Sequence, residues 1–155
     1  MNERIEIGQL LMLATRDFHR RLAADIAAAG VSAMSAAQGA VLSHIHVNGS
    51  SRMSDIAQAN GVRAQSLLKV INELEARSYL RRVEDPQDSR AKQIVLTDKG
   101  REHMQHLSEA TERVWQQYAA QLGEARLQTL AQSLRELLAD PAVTDADYAA
   151  NAAKH

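Results

Sequence analysis

Proline stands at only two of the 155 positions in this chain, 86 and 141. A helix interior tolerates proline poorly, because its ring fixes φ and removes a backbone donor. Residues 1–85 and 87–140 are therefore free of the strongest helix breaker. Ala (27 residues) and Leu (17) dominate the apolar set, and only five residues are aromatic. Both are strong helix formers. The chain is expected to be mainly α (α+β), with an internal break near Pro86.

Apolar periodicity fills in the elements. Ile7, Leu11, Ala14, Phe18, Leu22, Ile26 and Ala29 recur at steps of three and four, the period of one helix face. Gly30 sits where a C-terminal cap would end that helix. Ser35 opens a shorter helix through Ala37, Val41 and Ile45, and Asn48–Ser51 reads as a turn. Ser54 or its neighbour is placed to cap a third helix, which Gly61 breaks. A fourth runs through Leu67, Val70, Ile71 and Leu74. Leu80–Val83 and Gln93–Leu96 read as short strands, with the polar stretch 84–90 as a hairpin loop. Thr97-Asp98 caps a helix striped with Met104, Leu107, Thr111, Val114, Tyr118 and Leu122. Past Gly123, Leu127, Leu130, Leu134 and Leu137 mark the last helix. From Asp140 the chain is acidic, Ala-rich and weakly patterned, either a short helix from Thr144 or a fraying end.

Several functions are excluded early. There is no Cys, which removes disulfides, thiolate catalysis and Cys-based zinc sites, and a cytoplasmic location fits. The N-terminus lacks the basic flank and apolar run of a signal peptide. The uncharged run from Ile26 to Ser51 holds two His, Gln38, Asn48 and five Ser, too polar for a bilayer, so no membrane association is expected. His103 and His106 share a helix face, but no acidic pattern completes a metal site. No nucleophile elbow, phosphate loop or dinucleotide fingerprint appears, so neither an enzyme nor a cofactor is expected.

Charge is unevenly placed. Residues 51–101 carry ten basic against seven acidic side chains, while residues 102–155 carry four against eight. The middle third is the part suited to a polyanion. It also holds a short helix, a glycine turn and a second helix. Ala57 is small enough for two helices to cross closely, Gly61 permits the tight turn, and Ile56, Val62, Leu67 and Val70 fall on inner faces. That is the spacing of a helix-turn-helix.

The stretch DPQDSRAKQIVLTDKGR, with Asp88-x-Arg90, Leu96-Thr97 and Gly100, follows it at once. Together with IAQANGV and LLKVINELE, it resembles the MarR (multiple antibiotic resistance regulator) family of bacterial transcription factors. The resemblance runs in order and spacing over residues 7–138, with its motifs in 53–101. It implies a winged helix-turn-helix with long N- and C-terminal dimerisation helices. Residues 1–34 and 102–139 would form the helical dimerisation region, 35–101 the DNA-binding domain, and 140–155 a C-terminal tail. Three positions depart from the family pattern: Asn60 where an apolar residue is usual, Arg63 for a Ser or Thr cap, and Ser78 for a Gly.

The implied function is sequence-specific binding of double-stranded DNA by a homodimer, as a ligand-responsive repressor of a palindromic operator. With Leu67, Val70, Ile71 and Leu74 inward, Arg63, Gln65, Ser66, Lys69 and Asn72 face out. Gln65 suits adenine, Ser66 a base or phosphate, and Arg63 or Lys69 phosphate or guanine, while Leu68 suits a thymine methyl. Arg90 at the hairpin tip suits a narrow minor groove, oriented by Asp88 through a charge-assisted hydrogen bond. Lys92, Arg81 and Arg82 are either phosphate contacts or solvated charges. The resemblance further implies a small aromatic acid or phenolic effector. Arg16, His19 and His44 are its candidate ligands; otherwise they are ordinary solvated side chains. The alternative function is a winged-helix protein-interaction module without DNA binding.

Overall fold

The computed structural model describes residues 3–138, with side chains from residue 6 onward. The expected tail at 140–155 lies outside the described residues. The elements run α1 (Glu3–Ala28), α2 (Ala36–Asn48), β1 (Ser51–Arg52), α3 (Met53–Ala59), α4 (Ala64–Ala76), β2 (Leu80–Asp85), β3 (Asp88–Leu96), α5 (Asp98–Leu122) and α6 (Glu124–Leu138). Helices dominate, as the composition requires. No described helix is long and apolar enough to cross a membrane. The described residues divide into two compact units, one of residues 3–33 with 106–131, the other of 34–105 with 132–138.

In the second unit, α2 begins with a capping box. The Ser35 hydroxyl accepts from the Gln38 backbone N–H at 3.2 Å, and the Gln38 side chain accepts from the Ser35 N–H at 3.1 Å. Two otherwise unsatisfied donors are met, which fixes where the helix starts. Val41, Leu42 and Ile45 then face inward and are buried with Ile56, Ala57, Leu67, Ile71, Leu74, Leu80, Ile94 and Leu96. This one core holds α2, α3, α4 and the sheet together.

The α3–α4 turn closes as the spacing requires. Val62 N–H donates to Ala57 C=O at 3.1 Å and Gly61 N–H to Gln58 C=O at 3.2 Å, with Gly61 at φ +60°. These are the paired bonds of a Schellman cap, which needs a left-handed residue at that point. Asn60 compensates for its polarity by donating from its side-chain amide to Ile56 C=O at 2.8 Å. Two expectations fail here. Val62 is 39% exposed rather than inward, because the residue after the turn faces away from the crossing. Ser54 lies inside α3; the helix starts from Arg52, which makes no side-chain cap.

The sheet is larger than expected. Ser51, read as the end of a turn, forms with Arg52 a third strand pairing antiparallel with β3 at Ser51↔Ile94 and Arg52↔Gln93. Strand order is β1-β3-β2. The hairpin strands also run further, to Asp85 and from Asp88, leaving only Pro86 and Gln87 to turn. Its ladder runs from Leu80↔Leu96 to Glu84↔Lys92, then jumps to Asp85↔Asp88. Ser89, Arg90 and Ala91 are the extra residues of that irregularity.

The α4 terminus repeats the cap, with Ser78 in the left-handed role at φ +62°. Ser78 N–H donates to Glu75 C=O and Tyr79 N–H to Leu74 C=O, both at 2.9 Å. A side chain there costs about 1 kcal/mol that glycine avoids. Ser78→Gly should therefore raise stability by up to about 1 kcal/mol, seen as a higher urea midpoint at unchanged slope. A lowered midpoint would contradict it.

In the first unit, carboxylates on α1 accept from Arg113 and Tyr118 of α5. Asp25 takes a forked contact from Arg113, with N···O distances of 2.6–3.0 Å. Asp17 accepts from Arg20, from Arg21 at 2.7 Å and from the Tyr118 hydroxyl at 3.0 Å. Those donors hold the Asp17 carboxyl down at about 2, from an ordinary 3.8, and Arg113 lowers Asp25 likewise. A carboxyl lowered on folding adds stability above its unfolded pKa and loses it as pH falls through the folded one. Stability should hold above pH 4 and decline from there towards pH 2, and Asp17→Asn should flatten that decline in pH-resolved melts. Along the first half of α1, Ile7, Leu10, Leu11, Met12 and Leu13 are exposed, as are Leu130, Leu137 and Leu138 on α6. Of the expected α5 stripe, Thr111 is exposed and Ala110 takes the buried place.

Candidate nucleic-acid interface

On α4, Leu67, Ile71 and Leu74 anchor the inner face and Val70 is half-buried. Arg63, Gln65, Ser66, Leu68, Lys69 and Asn72 are all exposed. They do not form one surface. Gln65, Leu68, Lys69 and Asn72 line a shallow depression with Glu73 and Ala76. Arg63 and Ser66 instead line a cleft of about 950 Å³ between α2 and the α3–α4 unit. Its walls are mostly apolar, including Ala36, Ala40, Val41, Val47, Val62, Leu67 and Val70; His44 joins Arg63 there. Val47 is 81% exposed. Arg16 and His19 are exposed on α1, in the other unit, and line neither surface.

Arg63 is the N-cap of α4 and makes no side-chain cap bond, as its substitution for Ser or Thr predicts. Its cation is thereby left at the helix start. Arg82, in β2, is committed to α4. Its guanidinium donates to Asn72 Oδ1 at 2.7 Å and pairs with Glu75. Arg81 is exposed, and Lys92 pairs with Glu84 across the strands at 3.5 Å.

The hairpin carries the less expected geometry. Arg90 lies three residues into β3 rather than at the tip of a loop, within the irregular stretch 89–91, and it is exposed. Extra residues in a ladder redirect side chains locally. Asp88 accepts a hydrogen bond from the Arg90 backbone N–H at 3.0 Å, in place of the expected bond to the guanidinium. It shapes the strand and leaves the cation unengaged among the described residues.

Asp85 is the residue that sequence reasoning missed. Its side chain is 1% exposed. One carboxylate oxygen accepts from Arg52 Nε and Nη2 at 2.7 Å, the other from the Gln87 N–H at 2.8 Å. Arg52, then the Gln87 N–H, hold its pKa below the ordinary value, while burial opposes them. The hairpin is thus tied to the strand that leads into α3. A buried carboxylate needs such partners; the sole sequence hint was an Asp-Pro-Gln-Asp turn.

A helix-turn-helix followed by a two-stranded wing, with a polar face on its second helix, defines a winged-helix nucleic-acid-binding class. Comparison with known proteins makes this specific. Residues 29–91, which hold most of the winged helix-turn-helix, match the sequence model of the MarR family. No curated protein gives a significant match. A transcriptional regulator of Thermotoga maritima is 25% identical over 85% of this chain and 91% of its own, with a TM-score of 0.62. RV1404 from Mycobacterium tuberculosis is 19% identical over 87% and 92%, with a TM-score of 0.76. A mutant MarR from E. coli, solved in complex with operator DNA, is 21% identical over 88% and 96%, with a TM-score of 0.68. The chain has the fold of the MarR-family transcriptional regulators.

Proposed function

We propose that the chain binds duplex DNA sequence-specifically as a homodimer and represses transcription until a small aromatic acid or phenol lowers its affinity. The observation that carries the reading is the pairing of an outward polar face on α4 with the unengaged Arg90 cation on the adjacent wing. In that reading residues 35–101 contact the operator, through Gln65, Leu68, Lys69 and Asn72 in the major groove and Arg63 or Ser66 at its edge. Arg90 enters the minor groove and Lys92 lies near phosphate. Residues 1–34 and 102–139 form the dimer, supported by the exposed leucines of α1 and α6. The relative solved with operator DNA supports the choice of partner.

The effector reading rests on the cleft. Its lining includes no carboxylate, one guanidinium and an imidazole, and it includes Arg63 and Ser66 from α4. A ligand there would occupy groups that DNA also needs. Arg16 and His19 are the other effector candidates, from α1.

The test is capture of duplexes from a random library, followed by titration at several salt concentrations. Affinity should fall steeply with salt, as phosphate neutralisation requires. The winged-helix interaction module without DNA binding would retain no duplex even at low salt. Changing Leu10 and Leu13 together to Glu should yield monomers in sedimentation and lose the palindrome. Monomers that still protect both half-sites would overturn the dimer.

A further inference from the structure

The contact between Arg82 and Asn72 decides what Asn72 can offer a base. An asparagine amide carries one acceptor oxygen and one donor NH2 group. Its usual partner in the major groove is adenine, whose N6 amino group donates to that oxygen while N7 accepts from the amide. Here the oxygen already faces a guanidinium at 2.7 Å. Arginine has no acceptor, so the assignment of oxygen and nitrogen is unambiguous. The guanidinium is held on its other side by Glu75, one helical turn further along α4, and its backbone is fixed in the ladder opposite Ile94. Asn72 itself borders the depression shared with Gln65, Leu68 and Lys69. Its NH2 group makes no hydrogen bond among the described residues and is the part left to offer a base.

We propose that Arg82 is a specificity-determining residue that acts through Asn72. By taking one lone pair of the amide oxygen and setting a cation beside the other, it weakens that acceptor and leaves Asn72 chiefly a donor, which selects guanine, whose N7 and O6 both accept, over adenine. The guanidinium also places positive charge beside the position that adenine's amino hydrogens would take. This rests on the proposed binding of duplex DNA, and extends it from where α4 binds to what it selects.

The test uses the full chain and a randomised duplex library. Asn72→Ala first locates the base pair whose preference depends on Asn72. At that position the wild type should favour guanine over adenine. Arg82→Met, which keeps the aliphatic stem but no donor, should move the adenine-to-guanine ratio towards adenine about tenfold, the scale of one side-chain contact to a base. Arg82→Lys, which still donates to the oxygen, should keep the wild-type order. Thermal melts of each variant check folding, and Glu75→Gln gives a second route. It loosens the guanidinium and should shift the same ratio in the same direction, but less.

A uniform loss of affinity in Arg82→Met with unchanged base order would mean a purely structural contact and overturn the proposal. So would an Asn72→Ala variant that changes no base preference, or a wild type that favours adenine there. Capture of no duplex by the wild type is a different failure, and it would bring down the functional reading together with this one.

Discussion

Replacing Gly100 with alanine should destabilise the winged unit by about 3 kcal/mol, the upper end of what overpacking usually costs. Gly100 is buried in the first turn of α5, where a Cβ would stand 2.1 Å from the Tyr79 carbonyl oxygen and 3.3 Å from Leu96 Cβ. The obstacle is backbone, so no rotamer change relieves it. That carbonyl also accepts the Thr97 N–H at 3.1 Å, and the Thr97 hydroxyl donates to Ser78 C=O at 2.6 Å. Moving α5 aside would disturb the junction between α4, β3 and α5 together. Gly39→Ala is the matched control. Nothing lies within 4 Å of its added methyl, so it should be neutral or stabilise α2 by about 0.5–1 kcal/mol. Urea denaturation of both variants checks the contrast. A Gly100→Ala midpoint equal to wild type would mean that the approach of α5 to Tyr79 is looser than the structure has it.

Arg90→Ala should weaken operator binding by about 1–3 kcal/mol, or roughly 5- to 150-fold, with little change in thermal stability. The guanidinium is exposed and has no partner among the described residues, so folding loses nothing when it goes. If it reads a narrow minor groove, the loss should be greatest on A·T-rich flanks. Asp88→Ala should cost less, because its carboxylate holds the Arg90 backbone rather than the guanidinium. Titrations against operators with exchanged flanks, at several salt concentrations, check both. An undiminished affinity on every flank would remove the wing from the recognition mechanism.

Much of this architecture is written in local sequence. Ser35 with Gln38 announces the start of α2, and Gly61 the turn before α4, because a cap needs only neighbours along the chain. The family resemblance could be recognised from a wing motif for the same reason. The two-residue β1 could not be read, since Ser51 and Arg52 have no period and follow a turn. Glu84–Asp85 and Asp88–Lys92 looked like loop because they are polar, whereas a ladder is made by backbone groups. The burial of Asp85 depends on Arg52, distant in sequence, and no local pattern announces it. The outward residues of α4 were identified correctly as exposed. Their division between a depression and a cleft depends on where α2 lies. Nor does helical spacing show that Arg82 occupies Asn72.

Ser51–Arg52 has a kinetic consequence. The β2–β3 hairpin and the α3–α4 turn each join residues close in sequence, and such contacts form early. The pairing of Ser51 with Ile94 must wait until both are in place, because it closes the chain around them. Closing it ties the hairpin to the start of α3 through two paired residues and the Arg52–Asp85 contact, beside the core that Leu80, Ile94 and Leu96 share with the helices. Releasing the hairpin would also expose Leu80, Ile94 and Leu96, so its ladder amides should exchange only in openings close to global unfolding.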